Sequence, residues 1–199
     1  MKKLVLIALI SILASPNAAS QSKNSEPAFY LDRKAVQEHI WYRTPTVHVC
    51  VGSALTEARV KKAMSMWSRL GYTLNGPIMK STIPECLVYD SSPGKILIGS
   101  NTARVPADNA AVTRTWYNKY TDEIVSAFIE IKPKWNTRER VLEHELGHAL
   151  GWDHCNKRYH LMHSIHDLGG WDTSGLRNKQ KMSYVRWTLG SYGEKIYID

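Results

Sequence analysis

Glu143-His144-Glu145-Leu146-Gly147-His148-Ala149-Leu150-Gly151-Trp152-Asp153-His154 is the stretch that organises the chain. It contains H-E-x-x-H and continues through x-x-G-x-x-H. His144 and His148 are four residues apart, so on a helix both imidazoles project from one face. Glu145 sits one position round that helix. His154 reaches the same point only if the helix stops and the chain turns back. Gly151 stands where the turn is needed, because glycine tolerates the positive φ of a helix C-terminus. Three neutral imidazoles with one open position match the donor set of a catalytic zinc ion. In that arrangement His144, His148 and His154 are the ligands and Glu145 is the general base. Six of the eight histidines lie between 144 and 166, which disfavours a chance match.

Upstream, Asn136-Thr137-Arg138-Glu139 has the form of a capping box and predicts that the motif helix opens there. The strand before it, Ile124 to Ile131, is apolar enough to lie inside a sheet, and Pro133 stops it. Ala110 to Tyr117 alternates with polar Thr113 and Thr115, as suits an edge strand. Strands are also expected at 46–51, 86–89 and 95–99. A helix is expected over 55–70, with Ser53 or Thr56 as its cap and Gly71 at its end. Residues 72–84 read as a loop, with Asn75-Gly76-Pro77 as a turn. A further helix is expected from Gly175 to Leu189. The order is strand, helix, strands, helix, helix in one α+β domain over 45–199.

The ends carry other signals. Lys2 and Lys3 precede an apolar run from Leu4 to Leu13 and then small residues, the order of a secretory signal peptide over 1–20. That run is too short to span a bilayer comfortably. Residues 21–44 read as a polar N-terminal extension or a short pro-segment, with one helical candidate from Asp32 to Ile40. The Asp32 carboxylate is a candidate blocker of the open metal position. The formal charge of +8 includes Lys2 and Lys3. The remaining basic residues are scattered, so a solvated face is expected and no nucleic-acid module is found. Secretion or export to a periplasm is expected, with no membrane attachment after signal cleavage and a monomeric product. Of the three cysteines at least one is unpaired within the chain. Cys50 with Cys86 is the favoured pair, since both fall in candidate strands ahead of the motif.

The motif, with Leu161-Met162-His163 beyond it, resembles the metzincin metallopeptidases, and His144 to Gly151 is similar to the matrixin form. The resemblance implies a twisted mixed sheet of about five strands with three main helices. It also implies a zinc site in a cleft between upper and lower subdomains, and Met162 as the Met-turn methionine below the metal. Zn2+ is then the cofactor and a protein or peptide the substrate. The peptide binds by strand addition to the edge strand, for which Ala110 to Tyr117 is the candidate. Two departures stand out. Matrixins follow the third histidine with serine, where this chain has Cys155. His154-Cys155 with His160 and Met162 is similar to archaemetzincins, which have cysteine at both the Cys155 and His160 positions. Those proteins also carry a later C-x-x-C for a second zinc, and this chain has none. Cys155 is therefore expected as a buried small residue or a disulfide partner. Ser164 stands where some metzincins place an oxyanion-stabilising tyrosine, leaving His163 and His166 as nearby donors. The competing expectations are a zinc enzyme acting on an unusual amide such as a cell-wall peptide, and a secreted zinc-binding adhesin without turnover.

Overall fold

The computed structural model describes residues 33–88, 93–100, 102–178 and 192–198. They form an α+β fold around one six-stranded mixed sheet. Its strands are β1 (Thr46–Cys50), β2 (Asn75–Ser81), β3 (Lys95–Gly99), β4 (Ala111–Asn118), β5 (Ile124–Ile131) and β6 (Tyr192–Ile198), in the spatial order β2-β1-β3-β5-β4-β6. The first four in that order are mutually parallel, whereas β4 runs antiparallel to both β5 and β6. Three α-helices accompany the sheet among the described residues: α1 (Glu57–Arg69), α2 (Pro84–Val88) and α3 (Val141–Ala149).

Side-chain alternation assigns the two faces. Val47, Val49, Ile96, Ile98, Ala127, Ile129 and Ile131 join the main core under α1 and α3. Leu97 and Phe128, on the other face, pack with Cys50 and Cys86 in a smaller cluster. A Cys50–Cys86 disulfide, the pair favoured from the sequence, closes that cluster, and Cys155 is a buried free thiol. In α1, Val60, Ala63, Met64 and Trp67 recur at helical spacing and are buried. Thr56 caps its start, accepting from the Arg59 amide at 3.2 Å. Three hydrogen bonds then lock α1 to α3. The Trp67 indole donates to the Glu143 carbonyl at 2.8 Å, and Arg59 grips the buried Glu143 carboxylate through two nitrogens at 2.7 and 2.6 Å.

Several expectations are corrected. Asn75-Gly76-Pro77 is not a turn but the start of β2, an edge strand. Proline is tolerated there because an edge strand leaves half of its amides outside the ladder. Cys86 to Val88 is helical, since Pro84 opens a short helix that brings Cys86 to Cys50. Asn136 does not cap the motif helix: a 3₁₀ turn at Pro133–Trp135 intervenes, and α3 starts at Val141 after a left-handed Arg140 (φ 70°). The helical candidate from Asp32 to Ile40 is, over 33–40, an extended arm. It bridges Gln37 to Trp152 and Ile40 to Glu123. Tertiary pairing here supplies the backbone partners that an isolated helix would have had to make itself. Residues 175–178 are not helical, and the rest of the helix expected up to Leu189 lies outside the described residues, as do 1–20 and Asp32. Finally, β4 is not an edge, because β6 lies along it.

Candidate metal centre

The end of α3 builds the centre. Leu150 leaves the helix, and Gly151 takes φ 92°. Gly151 N–H donates to the His148 carbonyl at 2.8 Å and Trp152 N–H to the Gly147 carbonyl at 3.0 Å. That pair of bonds is a Schellman termination, which reverses the chain within two residues. The arm holds the reversal in place. Glu38 N–H donates to the Gly151 carbonyl and Asp153 N–H to the Val36 carbonyl, both at 2.9 Å, while Arg33 pairs with the Asp153 carboxylate. The Trp41 indole and the Gln37 amide donate to the Ala149 and Leu150 carbonyls at 2.7 and 2.9 Å. The orphan carbonyls of the helix end are thereby satisfied.

His154 is returned to the histidines of α3 by this reversal. The Nε2 atoms of His144 and His148 lie 3.0 Å apart, those of His148 and His154 3.0 Å, and those of His144 and His154 3.4 Å. Among the described residues this is the group of metal-ligating side chains that converges. The tautomers follow from the other ring nitrogens. His144 Nδ1 is 2.6 Å from the Leu161 carbonyl oxygen and His148 Nδ1 is 2.7 Å from that of Trp152. A carbonyl only accepts, so each Nδ1 carries the proton and each neutral ring turns a bare Nε2 lone pair inward. Two lone pairs facing at 3.0 Å repel unless a cation lies between them. Adjacent nitrogens on a tetrahedral zinc at about 2.0–2.1 Å stand roughly 3.3 Å apart, so the donor set fits such an ion.

Glu145 is buried beside the triad, and the Thr113 hydroxyl of β4 donates to its Oε2. Met162 is fully buried under the motif helix. A side chain added at Gly147 would place its Cβ 2.4 Å from Met162 Sδ and 2.9 Å from Trp67 Cζ2. Glycine at 147 therefore lets the methionine turn close against α3.

That turn has its own support. Cys155 N–H donates to the Met162 carbonyl at 2.8 Å. His160 Nε2–H donates to the Ser174 carbonyl at 3.0 Å, and its Nδ1 accepts from Met162 N–H at 3.1 Å and lies 3.1 Å from Cys155 Sγ. Burial raises the Cys155 thiol above its ordinary pKa and lowers His160 below its own, so both stay neutral. The pair braces the turn as a thiol and an imidazole, and Cys155 is buried as expected.

His163 and His166 line a recess of about 50 Å³ with His144, Glu145, Arg140 and Ser164. His163 Nδ1 accepts from Ile165 N–H at 3.0 Å, and burial lowers its pKa. A wider opening of about 850 Å³ lies behind the 152–160 segment, lined by Arg33, Gln37, Cys155 and His160. Among the described residues no metal-ligating group of three converges there.

The three histidines expected from the sequence meet, with Glu145 buried beside them and Met162 buried against α3. Sequence reading missed the roles of Thr113, the arm, and Tyr197, whose ring stacks on His148 with centroids 4.1 Å apart. Thr113 was visible as one of the alternating polar residues of its strand. For Tyr197 the signal was the short β-prone run Ile196-Tyr197-Ile198. No protein-family model matches this chain, and no curated protein sequence matches it.

Proposed function

We propose that the protein is a zinc-dependent endopeptidase of metzincin type, exported from the cell, with His144, His148 and His154 as ligands and Glu145 as general base. The observation that carries this reading is the meeting of three Nε2 lone pairs beside a carboxylate that is held by Thr113 and is not itself part of the ligand set. A zinc ion bound there supplies Lewis acidity to a carbonyl and makes water more acidic. Glu145 takes the proton from the attacking water and delivers it to the leaving amine. The Thr113 hydroxyl fixes the direction of the carboxylate during both transfers. The Leu161 and Trp152 carbonyls keep the imidazoles aimed, so little reorganisation is needed when the metal enters. The recess at His163, Ser164 and Arg140 takes a side chain of the substrate. The Cys50–Cys86 disulfide supports an oxidising compartment.

The test is hydrolysis of casein and of quenched peptides by the purified protein with zinc, with chelator, and after Glu145→Ala. Chelator should abolish turnover and zinc should restore it. Glu145→Ala should lower kcat by about 10²–10⁴-fold while zinc affinity stays within a few-fold. Turnover that persists in chelator would rule out the zinc mechanism. A zinc-loaded protein inert on every peptide would instead be a binding module.

A further inference from the structure

An extended peptide that adds to a sheet needs an open strand edge. Beside the metal centre the strand that would offer it is β4, and that edge is taken by the chain itself. β6 runs antiparallel to β4 through seven paired positions, from Val112↔Ile198 to Asn118↔Tyr192. Tyr197 lies opposite Thr113, the residue that orients Glu145. Its ring lies on the His148 imidazole at 4.1 Å with the planes only 16° apart, and the residue is 3% exposed.

The placement of Tyr197 ties β6 to the metal centre as well as to the sheet. A structural edge strand anchors itself by sending alternate side chains into the core. Tyr197 is the inward side chain here, and it is buried directly on the imidazole of His148, a proposed metal ligand. Ile196, pointing the other way, is 48% exposed. β6 therefore holds the backbone position and one side-chain position that a bound peptide would take, next to the groups that would act on it.

We infer that β6 is a self-supplied occupant of the peptide-binding edge, and that an incoming extended segment binds only after it leaves β4. This rests on the peptidase reading and adds the regulation of that site. A tethered strand competes at an effective concentration on the order of millimolar, so a free peptide at micromolar concentration is largely excluded. The segment that succeeds is one presenting an aromatic side chain to His148 in the place of Tyr197.

The test uses the full chain carrying Glu145→Ala and loaded with zinc, so that a peptide binds without being cut. The probe is a fluorescent peptide with the sequence of residues 192–198, followed by anisotropy. Adding Tyr197→Gly should tighten probe binding at least ten-fold and speed hydrogen exchange at those amides of 112–118 that face β6, with the amides facing β5 still protected. A chain ended after residue 191 is the second variant should Tyr197→Gly not fold. Equal probe affinity with and without Tyr197 would overturn the inference. So would open-chain exchange rates, in the parent, at those amides of 192–198 that face β4. With Glu145 intact, Tyr197→Gly should raise kcat/KM about ten-fold, mostly through KM. If the probe gains affinity but no peptide is cut, the peptidase reading fails and the occupied edge stands. If peptides are cut at equal rates, the occupant fails and the peptidase stands.

Discussion

A single hydroxyl shows how finely the centre is set. Thr113 is fully buried in β4, and its Oγ1 donates to the Glu145 carboxylate. A hydrogen bond to a charged acceptor is worth about 1.5–3 kcal/mol. On the peptidase reading that energy holds the base in line. Thr113→Val should therefore lower kcat by about ten- to a hundred-fold with zinc affinity unchanged, since no ligand depends on the hydroxyl. Steady-state kinetics beside a zinc competition titration would check both halves. Equal losses in kcat and in zinc affinity would mean that Thr113 acts on the ligand set and not on the base.

At the scale of elements, the decisive feature is how α3 ends. Nine helical residues carry two of the three candidate ligands, and the third depends wholly on the reversal at Gly151. A Cβ there would sit 2.0 Å from the His39 carbonyl oxygen of the arm, at a φ that side chains with a Cβ rarely adopt. Gly151→Ala should push the arm off the helix end and swing His154 away from His144 and His148. We expect zinc affinity to fall at least ten-fold in a competition titration, while far-ultraviolet circular dichroism keeps the signal of the sheet. Unchanged affinity would show that His154 is placed by Asp153 and Arg33 instead. The arm and the helix terminus thus act as one unit in setting the geometry of the histidine triad.

For the whole molecule, stability should depend on pH through buried histidines. His48 is buried on β1 near Ser81, 3.2 Å from its Oγ, and its pKa is lowered, chiefly by burial and next by Lys95. The unfolded chain takes up a proton near pH 6.5 that the folded chain refuses. Its contribution is therefore complete above that pH and is lost as pH falls below it, by at most about 1.4 kcal/mol per pH unit for one group. Burial lowers His160 and His163 in the same direction. Urea unfolding in chelator should show a fall in stability from pH 7 to pH 5, and a smaller fall in His48→Gln. An equal fall in both would mean that His48 does not contribute.

The sequence by itself determined which three histidines meet at this centre. Helical spacing puts His144 and His148 together, Gly151 permits the turn, and Met162 follows at a distance that closes beneath; these are local relations that chain geometry enforces within about twenty residues. Alternation and apolar runs likewise specified β1, β3, β5 and α1. Long-range pairing was beyond its reach. β2 and the arm look like loop or helix because their backbone partners lie on distant segments, and the short helix at Cys86 is fixed by a disulfide to β1. Above all, only the tertiary structure decided that β4 is covered. Thr113 and Thr115 have the alternation of an edge strand, but whether an edge is open depends on what pairs with it, and here the partner comes from the far end of the chain.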